Sequence, residues 1–138
     1  AVVFFDPKYA WEFELRRKRS GHLISKHRYL SAQIKGYLEN DLWLDLARKA
    51  NENAAHLVEG LKQVEQCQFV YQPDANMMFV KFPRGMHQMA VNAGSYYDLR
   101  GQDLENGPKD ELLTARMVCD WSIGYEKIDQ FVSILKAS

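Results

Sequence analysis

The sequence has little of what marks disulfide-rich, metal-binding or membrane-spanning chains. It holds only two cysteines, Cys67 and Cys119, among 138 residues, too few for a disulfide framework and without the spacing of a metal site. This scarcity favours a reducing, cytoplasmic location. No apolar run approaches the roughly 20 residues that a membrane-spanning helix requires. We therefore expect a cytoplasmic protein with no membrane partner.

The chain also lacks net charge, since 18 Lys and Arg balance 18 Asp and Glu. The average hides a basic stretch near the start, which contains Lys8, Arg16, Arg17, Lys18, Arg19, Lys26 and Arg28. No helix-turn-helix, finger or sheet motif accompanies it, so we expect no nucleic-acid partner. Apolar residues make up 46% of the chain, which is enough for a real core.

The first half predicts one strand followed by long helices. The apolar run Val2–Phe5 is typical of a buried strand, and Asp6-Pro7 supplies a cap and a first helical proline for a helix to about Arg19. A second helix is predicted over Ser25–Leu38. A third, long helix follows from a stripe with alternating spacings of four and three, namely Trp43, Ala47, Ala50, Ala54, Leu57, Leu61 and Val64.

After Val64 the period turns strand-like. The pattern predicts strands Cys67–Tyr71, Met77–Phe82, Ser95–Leu99 and Leu112–Trp121, helices Met86–Ala93 and Tyr125–Leu135, and a loop over Arg100–Asp110. The order of elements indicates an α/β segment that feeds an α+β part. The chain opens on an apolar strand with no methionine before it, and such a strand is normally interior to a sheet, with neighbours on both sides. We therefore interpret the start as a cut through a larger protein, with processing of a shorter chain as the alternative.

Arg116 is the first candidate functional residue. Alternation on its strand places Ala115, Met117, Cys119 and Trp121 on one face, and Arg116, Val118 and Asp120 on the other. A planar guanidinium matches a carboxylate bidentately, so Arg116 is a candidate anion anchor. The alternative is a structural ion pair with Asp120 or an exposed edge arginine.

The basic stretch is the second candidate, as a phosphate site. Four consecutive basic residues, Arg16 to Arg19, cannot all face one ligand on a helix, and a solvated helix end is the alternative. The histidines show no metal spacing, and His56 is expected to pack beside the stripe of the long helix.

The sequence resembles the low-specificity L-threonine aldolases, and the resemblance spans nearly the whole chain. Its specific part is the first half, with AVVFFDP at position 1, RRKRSGHLISK at position 16, HRYLSAQ at position 27 and LENDLWL at position 38. Weaker matches are ANMMFV at position 75 and ARMVCDW at position 115. The family's enzymes depend on pyridoxal 5'-phosphate and cleave β-hydroxy-α-amino acids such as threonine to glycine and an aldehyde.

The resemblance implies the α/β fold of aspartate-aminotransferase-like enzymes. Residues 1–40 would be the remnant of the large cofactor-binding domain and its connecting helices, and residues 41–138 the long helix and small C-terminal α+β domain. Arg116 resembles the arginine that grips the substrate carboxylate, whereas Arg28 and Lys18 resemble basic residues near the cofactor phosphate. The family also implies a homodimer or tetramer with active sites between subunits.

The resemblance implies missing parts as well. The lysine that holds the cofactor, the histidine that stacks on it and the aspartate at its ring nitrogen would all lie upstream, so we expect no catalytic residue, no cofactor binding and no activity in this chain alone. Asp120 departs from the family's usual residues and would compete for Arg116 if both point inward. Two other functions stay open: another lyase or aminotransferase of the same fold, and a non-catalytic α+β binding or oligomerisation module.

Overall fold

The computed structural model of the chain describes residues 2–137, which form two compact units, Ala1–Leu42 and Trp43–Ser138. The N-terminal unit is helical. A short 3-10 helix, Pro7–Tyr9, leads into α1 (Ala10–Arg19), and α2 (His27–Leu38) is followed by a second 3-10 turn, Glu39–Asp41. The Asp6 carboxylate accepts a hydrogen bond from the Lys8 N–H at 3.0 Å, which confirms the predicted cap.

The predicted strand Val2–Phe5 is wrong, because the structure assigns no strand there. Phe5 is fully exposed and Val3 is 76% exposed. An apolar strand becomes regular only when neighbouring strands satisfy its backbone groups. The described part of the chain has its strands only in the C-terminal unit, so this segment has no ladder to join.

No residue of the N-terminal unit is buried within the range that the structure describes. The apolar side chains of α2 are about half exposed, among them Tyr29, Ile34 and Leu38. Helices of this length are marginal in water unless an apolar face is packed. The unit therefore has little of its own to stabilise it.

The C-terminal unit contains the sheet. It is built from α3 (Leu42–Leu61, whose first residue closes the other unit), β1 (Gln68–Phe69), β2 (Met77–Pro83), α4 (Arg84–Asn92), β3 (Leu112–Val118) and α5 (Tyr125–Lys136). The strands are antiparallel in the order β1-β2-β3. The β2–β3 register runs from Met77 opposite Val118 to Pro83 opposite Leu112. The predicted strand Ser95–Leu99 is reduced to a single bridge between Asp98 and Arg116.

One face of this sheet forms the core with α3, α4 and α5. Alternate residues of β2 and β3 are buried, as the period of a strand requires, and fully buried side chains such as Val80, Phe82 and Leu61 lie at the centre. Each such side chain contributes about 1.5–3 kcal/mol on removal from water. The core runs from Ala54 to Leu135, so it lies wholly in the C-terminal unit.

His87 is the one histidine of the core. Its Nε2 donates to the Leu113 carbonyl at 3.1 Å, which leaves Nδ1 to accept the Tyr97 hydroxyl hydrogen at 3.0 Å. The ring stacks on Phe82 with centroids 3.7 Å apart. Burial lowers the pKa of His87 from 6.5 to about 4, because a charged imidazole loses its hydration there.

None of the helices between residues 2 and 137 combines the length and apolar character needed to cross a bilayer.

We expect residues 43–138 to unfold cooperatively after deletion of residues 1–42, with a thermal midpoint within a few degrees of the whole chain, because the deletion removes no core residue. Circular dichroism during heating measures this. Phe82→Ala in the whole chain is the matched control and should cost about 3–5 kcal/mol. Loss of the cooperative transition on deletion would contradict an independent C-terminal core.

The free energy of unfolding should fall as the pH decreases through the window set by His87. The folded-state pKa lies below the unfolded value of 6.5, so the neutral ring's contribution is complete above pH 6.5 and is lost toward pH 4. The full loss is about 3 kcal/mol. Urea unfolding between pH 7 and 4.5 should therefore be steeper in pH for the wild type than for His87→Gln, with the exposed His22→Gln as the matched control. Equal slopes for wild type and His87→Gln would refute the assignment.

Candidate carboxylate and phosphate sites

Arg116 lies on the outer face of the sheet. Ala115 and Met117, its neighbours on β3, are buried in the core, and alternation along the strand turns the intervening side chain away from the core. The Arg116 side chain is 44% exposed. The shared face predicted for Ala115, Met117 and Cys119 is confirmed and is the inner one. The prediction is wrong for Trp121, which is 55% exposed because the strand ends at Val118.

Asp98, not Asp120, is the ionic partner of Arg116. The Arg116 Nη2 and Asp98 Oδ2 atoms are 3.3 Å apart, and the two backbones are also joined, with the Arg116 N–H donating to the Asp98 carbonyl at 2.8 Å. This contact is a single ion pair between partly exposed groups, and Arg116 makes no side-chain hydrogen bond to any described residue. A guanidinium has five N–H donors, so most of its donor capacity is unused.

The suggested pairing or competition of Asp120 with Arg116 is wrong. The Asp120 Oδ1 accepts hydrogen bonds from the Ser122 N–H at 2.7 Å, the Ser122 hydroxyl at 2.8 Å and the Ile123 N–H at 3.0 Å. Hydrogen bonds from Ser122 lower the pKa of the Asp120 carboxyl below its usual value. Asp120 is thus committed to the turn that follows β3.

A second arginine lies near the Arg116 side of the sheet. Arg116 faces Phe79 across the β2–β3 ladder, and the Arg100 guanidinium carbon lies 5.7 Å from the centre of the Phe79 ring. Arg100 has a left-handed backbone, with φ 58°, and its N–H donates to the Asp98 Oδ1 at 2.8 Å. Asp98 therefore links both arginines, and this face carries more positive than negative charge.

The loop before β3 covers the free edge of that strand. Gln102 bonds Thr114 twice through its side-chain amide, accepting from the Thr114 N–H at 3.0 Å and donating to the Thr114 carbonyl at 3.0 Å. Two residues further along β3, the backbone of Arg116 points to the same free edge and pairs with the backbone of Asp98. Pairing an edge in this way removes a row of unsatisfied backbone groups.

Arg84, the first residue of α4, holds the same loop through its guanidinium. It is 3% exposed, and its guanidinium donates to the Pro108 carbonyl at 3.2 Å, to the Asp103 carbonyl and to the Glu111 carboxylate. Gly107 passes so close that an added Cβ would lie 2.5 Å from Arg84 Nη2. The backbone of Gly107 also has φ 131°, a conformation that favours glycine, so Arg84 and Gly107 together define the path of the loop.

Two asparagines hold the segment after β3. Asn53 on α3 is 6% exposed and donates to the Asp120 and Ile123 carbonyls, each at 2.8 Å. Asn76 donates to the Cys119 carbonyl at 2.8 Å and accepts from the Cys119 N–H at 2.9 Å through its own backbone. The strand that carries Arg116 is therefore fixed at both ends.

The basic residues of the N-terminal unit divide into paired and unpaired groups. Arg16 and Arg19 reach Glu12, Arg17 reaches Glu14, and Lys8 reaches Asp6. Lys18, Lys26, Arg28 and Lys35 have no ion-pair partner among residues 2–137. The unpaired group contains both residues expected near a cofactor phosphate.

Lys18 lies on α1 and Arg28 on α2, both exposed. The Arg28 guanidinium carbon lies 5.1 Å from the Tyr29 ring centre, and no described ion pair or hydrogen bond joins Arg28 to Lys18. Unneutralised guanidinium and ammonium donors are the groups that bind phosphate in proteins. Lys18 and Arg28 therefore have donors available for a phosphate group, whereas Arg116 belongs to the other unit.

The remaining candidates have structural positions. His56 stacks on Tyr125 with centroids 4.2 Å apart and bonds Asp129 at 2.6 Å, so it packs as expected. Burial raises the pKa of the Cys67 thiol to about 11 and raises that of the Cys119 thiol, and both stay protonated at neutral pH. Within the described range, no group of three or more His, Cys, Asp or Glu side chains is placed to hold a metal ion.

Sequence reasoning missed Asp98, Arg84 and Asn53. Asn53 interrupts the apolar side of α3 one residue before Ala54, and a polar residue on a buried face indicates a specific hydrogen-bond role. Arg84 follows a strand directly, but nothing local in its sequence distinguishes it from a surface arginine. Asp98 falls within a predicted strand, and its partner depends on the course of the loop.

Asn53→Ala should lower the free energy of unfolding by about 1–3 kcal/mol, because two carbonyls lose their donor at a buried position. It should also speed hydrogen exchange at the Ile123 N–H. Urea unfolding and amide exchange measure the two effects, and Asn51→Ala, an exposed asparagine of the same helix, is the matched control. If both variants behave alike, Asn53 does not hold the segment after β3.

Two curated relatives are low-specificity L-threonine aldolases. The chain is 30% identical over 129 residues to the low-specificity L-threonine aldolase of Pseudomonas aeruginosa, covering 93% of this chain and 34% of that protein. It is 28% identical over 138 residues to the low-specificity L-threonine aldolase of another Pseudomonas strain, covering 99% of this chain and 37% of that one. The chain thus spans about a third of the length of the relatives it matches. No family model matches it.

The fold has a solved counterpart. The threonine aldolase of Leishmania major superposes with a TM-score of 0.74 at 21% identity, covering 88% of this chain and 33% of that one. The expected α/β fold class is confirmed by this match, and the partial coverage agrees with the expected match to the C-terminal part only. The predicted family resemblance is likewise confirmed: over nearly its whole length, this chain is related to the low-specificity L-threonine aldolases.

Proposed function

We propose that this chain is the C-terminal part of a pyridoxal-phosphate-dependent lyase that cleaves L-threonine and related β-hydroxy-α-amino acids to glycine and an aldehyde. Residues 1–40 would complete the large domain, and residues 41–138 would form the small domain. The chain alone is inactive in this proposal, because the cofactor lysine lies outside it. The observation that carries the proposal is the partly exposed Arg116 guanidinium, which has one loose carboxylate contact and most of its donors unused.

Arg116 would bind the substrate's carboxylate. A guanidinium and a carboxylate form two parallel, charge-assisted hydrogen bonds, which fix the orientation of the bound group as well as its position. The ion pair with Asp98 is made through Nη2 of the guanidinium, and none of the guanidinium nitrogens donates a hydrogen bond to a described residue. By holding one corner of the guanidinium, Asp98 would act as a positioning residue rather than as a competitor.

The rigidity of the strand supports this role. Core packing of Ala115 and Met117 fixes the backbone on both sides of Arg116, and the loop held by Arg84 delivers Asp98 to its partner. A positioned charge group accelerates a reaction only if it keeps its geometry when the substrate arrives. A site built on a packed strand meets that condition better than one on a mobile loop.

Arg28 and Lys18 would bind the cofactor's phosphate. Pyridoxal phosphate supplies the electron sink for the bond cleavage at Cα. The chain's own contribution is orientation and charge: Arg116 at the substrate's carboxylate, and the unpaired cations of the N-terminal unit at the phosphate. These two assignments use different units of the chain.

The exposed apolar surface of the N-terminal unit supports an assembly with further protein. Helices α1 and α2 carry exposed Trp11, Leu30 and Tyr37 and no buried residue. Exposed apolar surface of this kind is typical of an interface. We propose that the rest of the enzyme and a second subunit cover it, in a cytoplasmic homodimer or tetramer.

A chimera tests the function. We expect that the Pseudomonas aeruginosa enzyme, with its matching third replaced by this chain, releases glycine and acetaldehyde from L-threonine. Arg116→Lys in the chimera should lower kcat/KM by about tenfold to a hundredfold, since the loss of one bidentate charged pair costs about 1.5–3 kcal/mol. Arg48→Lys, an exposed and ion-paired arginine of the same unit, is the matched control.

The same preparations decide between the alternatives. The isolated chain should give no acetaldehyde from L-threonine. A chimera that transfers the amino group to an acceptor and releases no acetaldehyde would favour an aminotransferase. A chimera that folds, shows the cofactor's absorbance and keeps full activity as Arg116→Ala would remove Arg116 from the site. A chimera that folds but never acquires the cofactor would instead speak against the phosphate contacts.

A further inference from the structure

A cavity of about 410 Å³ lies between the segment after α4, the end of β3 and α5. Tyr97, Met117, Ile123 and Phe131 supply much of its apolar wall. Its volume falls in the range of small-molecule sites, which are mostly apolar with a few polar groups that fix orientation. The cavity lies within the C-terminal unit, and Arg116 is not among its lining residues.

Val118, at the end of β3, lines the cavity and lies beyond the part of the free edge that Gln102 and Asp98 cover. In an antiparallel strand, the backbone groups of alternate residues point to the same edge. Thr114 and Arg116 point away from β2, because Gln102 and Asp98 bond them there. Val118 must point the same way, and among residues 2–137 no hydrogen bond satisfies its N–H on that side. Val118 lines the cavity, so a backbone donor is available at its wall.

The charge of the lining is positive. Lys127, in the first turn of α5, lines the cavity and has no ion-pair partner among the described residues. Burial raises the pKa of two other lining groups, the Cys119 thiol and the Tyr97 hydroxyl, so both are neutral at pH 7, and the Tyr97 hydroxyl is bonded to His87. No Asp or Glu lines the cavity. A negatively charged ligand would therefore meet one cation and no anion.

We propose that this cavity binds a small hydrophobic carboxylate. The apolar body lies against Tyr97, Met117 and Phe131, and the carboxylate accepts from the Val118 N–H and pairs with the Lys127 ammonium. A carboxylate satisfies both groups at once, whereas a neutral ligand of the same shape leaves the ammonium unpaired. The site is separate from Arg116, so the proposal is independent of the proposed lyase function.

Phenylacetate is a suitable probe, because it joins one ring to one carboxylate. In ¹⁵N–¹H spectra of the whole chain, phenylacetate should shift the amide signals of Ser95, Tyr97 and Val118, with the Val118 proton moving downfield. Phenylacetamide, of the same shape without charge, should bind more weakly. Lys127→Gln should weaken phenylacetate by about fivefold, the value of a partly exposed ion pair, and should leave phenylacetamide unchanged.

Lys49→Gln, an exposed lysine of α3 outside the cavity lining, is the matched control and should bind phenylacetate as the wild type does. The proposal is overturned if phenylacetate shifts none of the lining amides. It is also overturned if the acid and the amide bind equally well, or if Lys127→Gln and Lys49→Gln weaken phenylacetate to the same extent. Because no activity is measured, these outcomes are independent of whether the chimera cleaves threonine.

Discussion

The rest of the structure depends on one constraint, the alternation of β3 between a packed face and an open one. Leu113, Ala115, Met117 and Cys119 fill the core, so the residues between them must turn outward. A one-residue slip would bury Arg116 and expose that whole set, at a cost no local contact offsets. The placement of a charged group on the outer face thus follows from packing on the inner one.

Much of the fold could be predicted because periodicity is local. Five helices and three strands of the structure fall within or close to predicted segments, from α1 to α5 and from β1 to β3. The strand Val2–Phe5 failed because a strand, unlike a helix, needs partners from elsewhere in the chain. The partner of Arg116 also escaped prediction. It depends on a loop held by Arg84 and turned through the left-handed Arg100, and no repeat of residues encodes that path.

Part of the charge pairing in the basic stretch follows from the spacing of its residues. Spacings of three and four join residues on one side of a helix, and Glu14 with Arg17, like Glu12 with Arg16, have these spacings. Spacing alone would also pair Glu14 with Lys18, and only the structure shows that Arg17 contacts Glu14. Lys18 and Arg28 are thereby left without an ion-pair partner among residues 2–137. Exposed pairs of this kind contribute little to stability, so their main effect here is to reduce the number of free charges.

The two units differ in how far their side chains are buried. The segment that most resembles the aldolases contains no buried side chain, while the core lies where the resemblance is weaker. In a selection for abundance or solubility of this chain, substitutions at Val80 or Leu61 would therefore be depleted, and most substitutions before Leu42 would be tolerated. A mutational scan of the chain by itself would identify its core residues but would not detect the residues of the first half that carry the specific resemblance to its relatives.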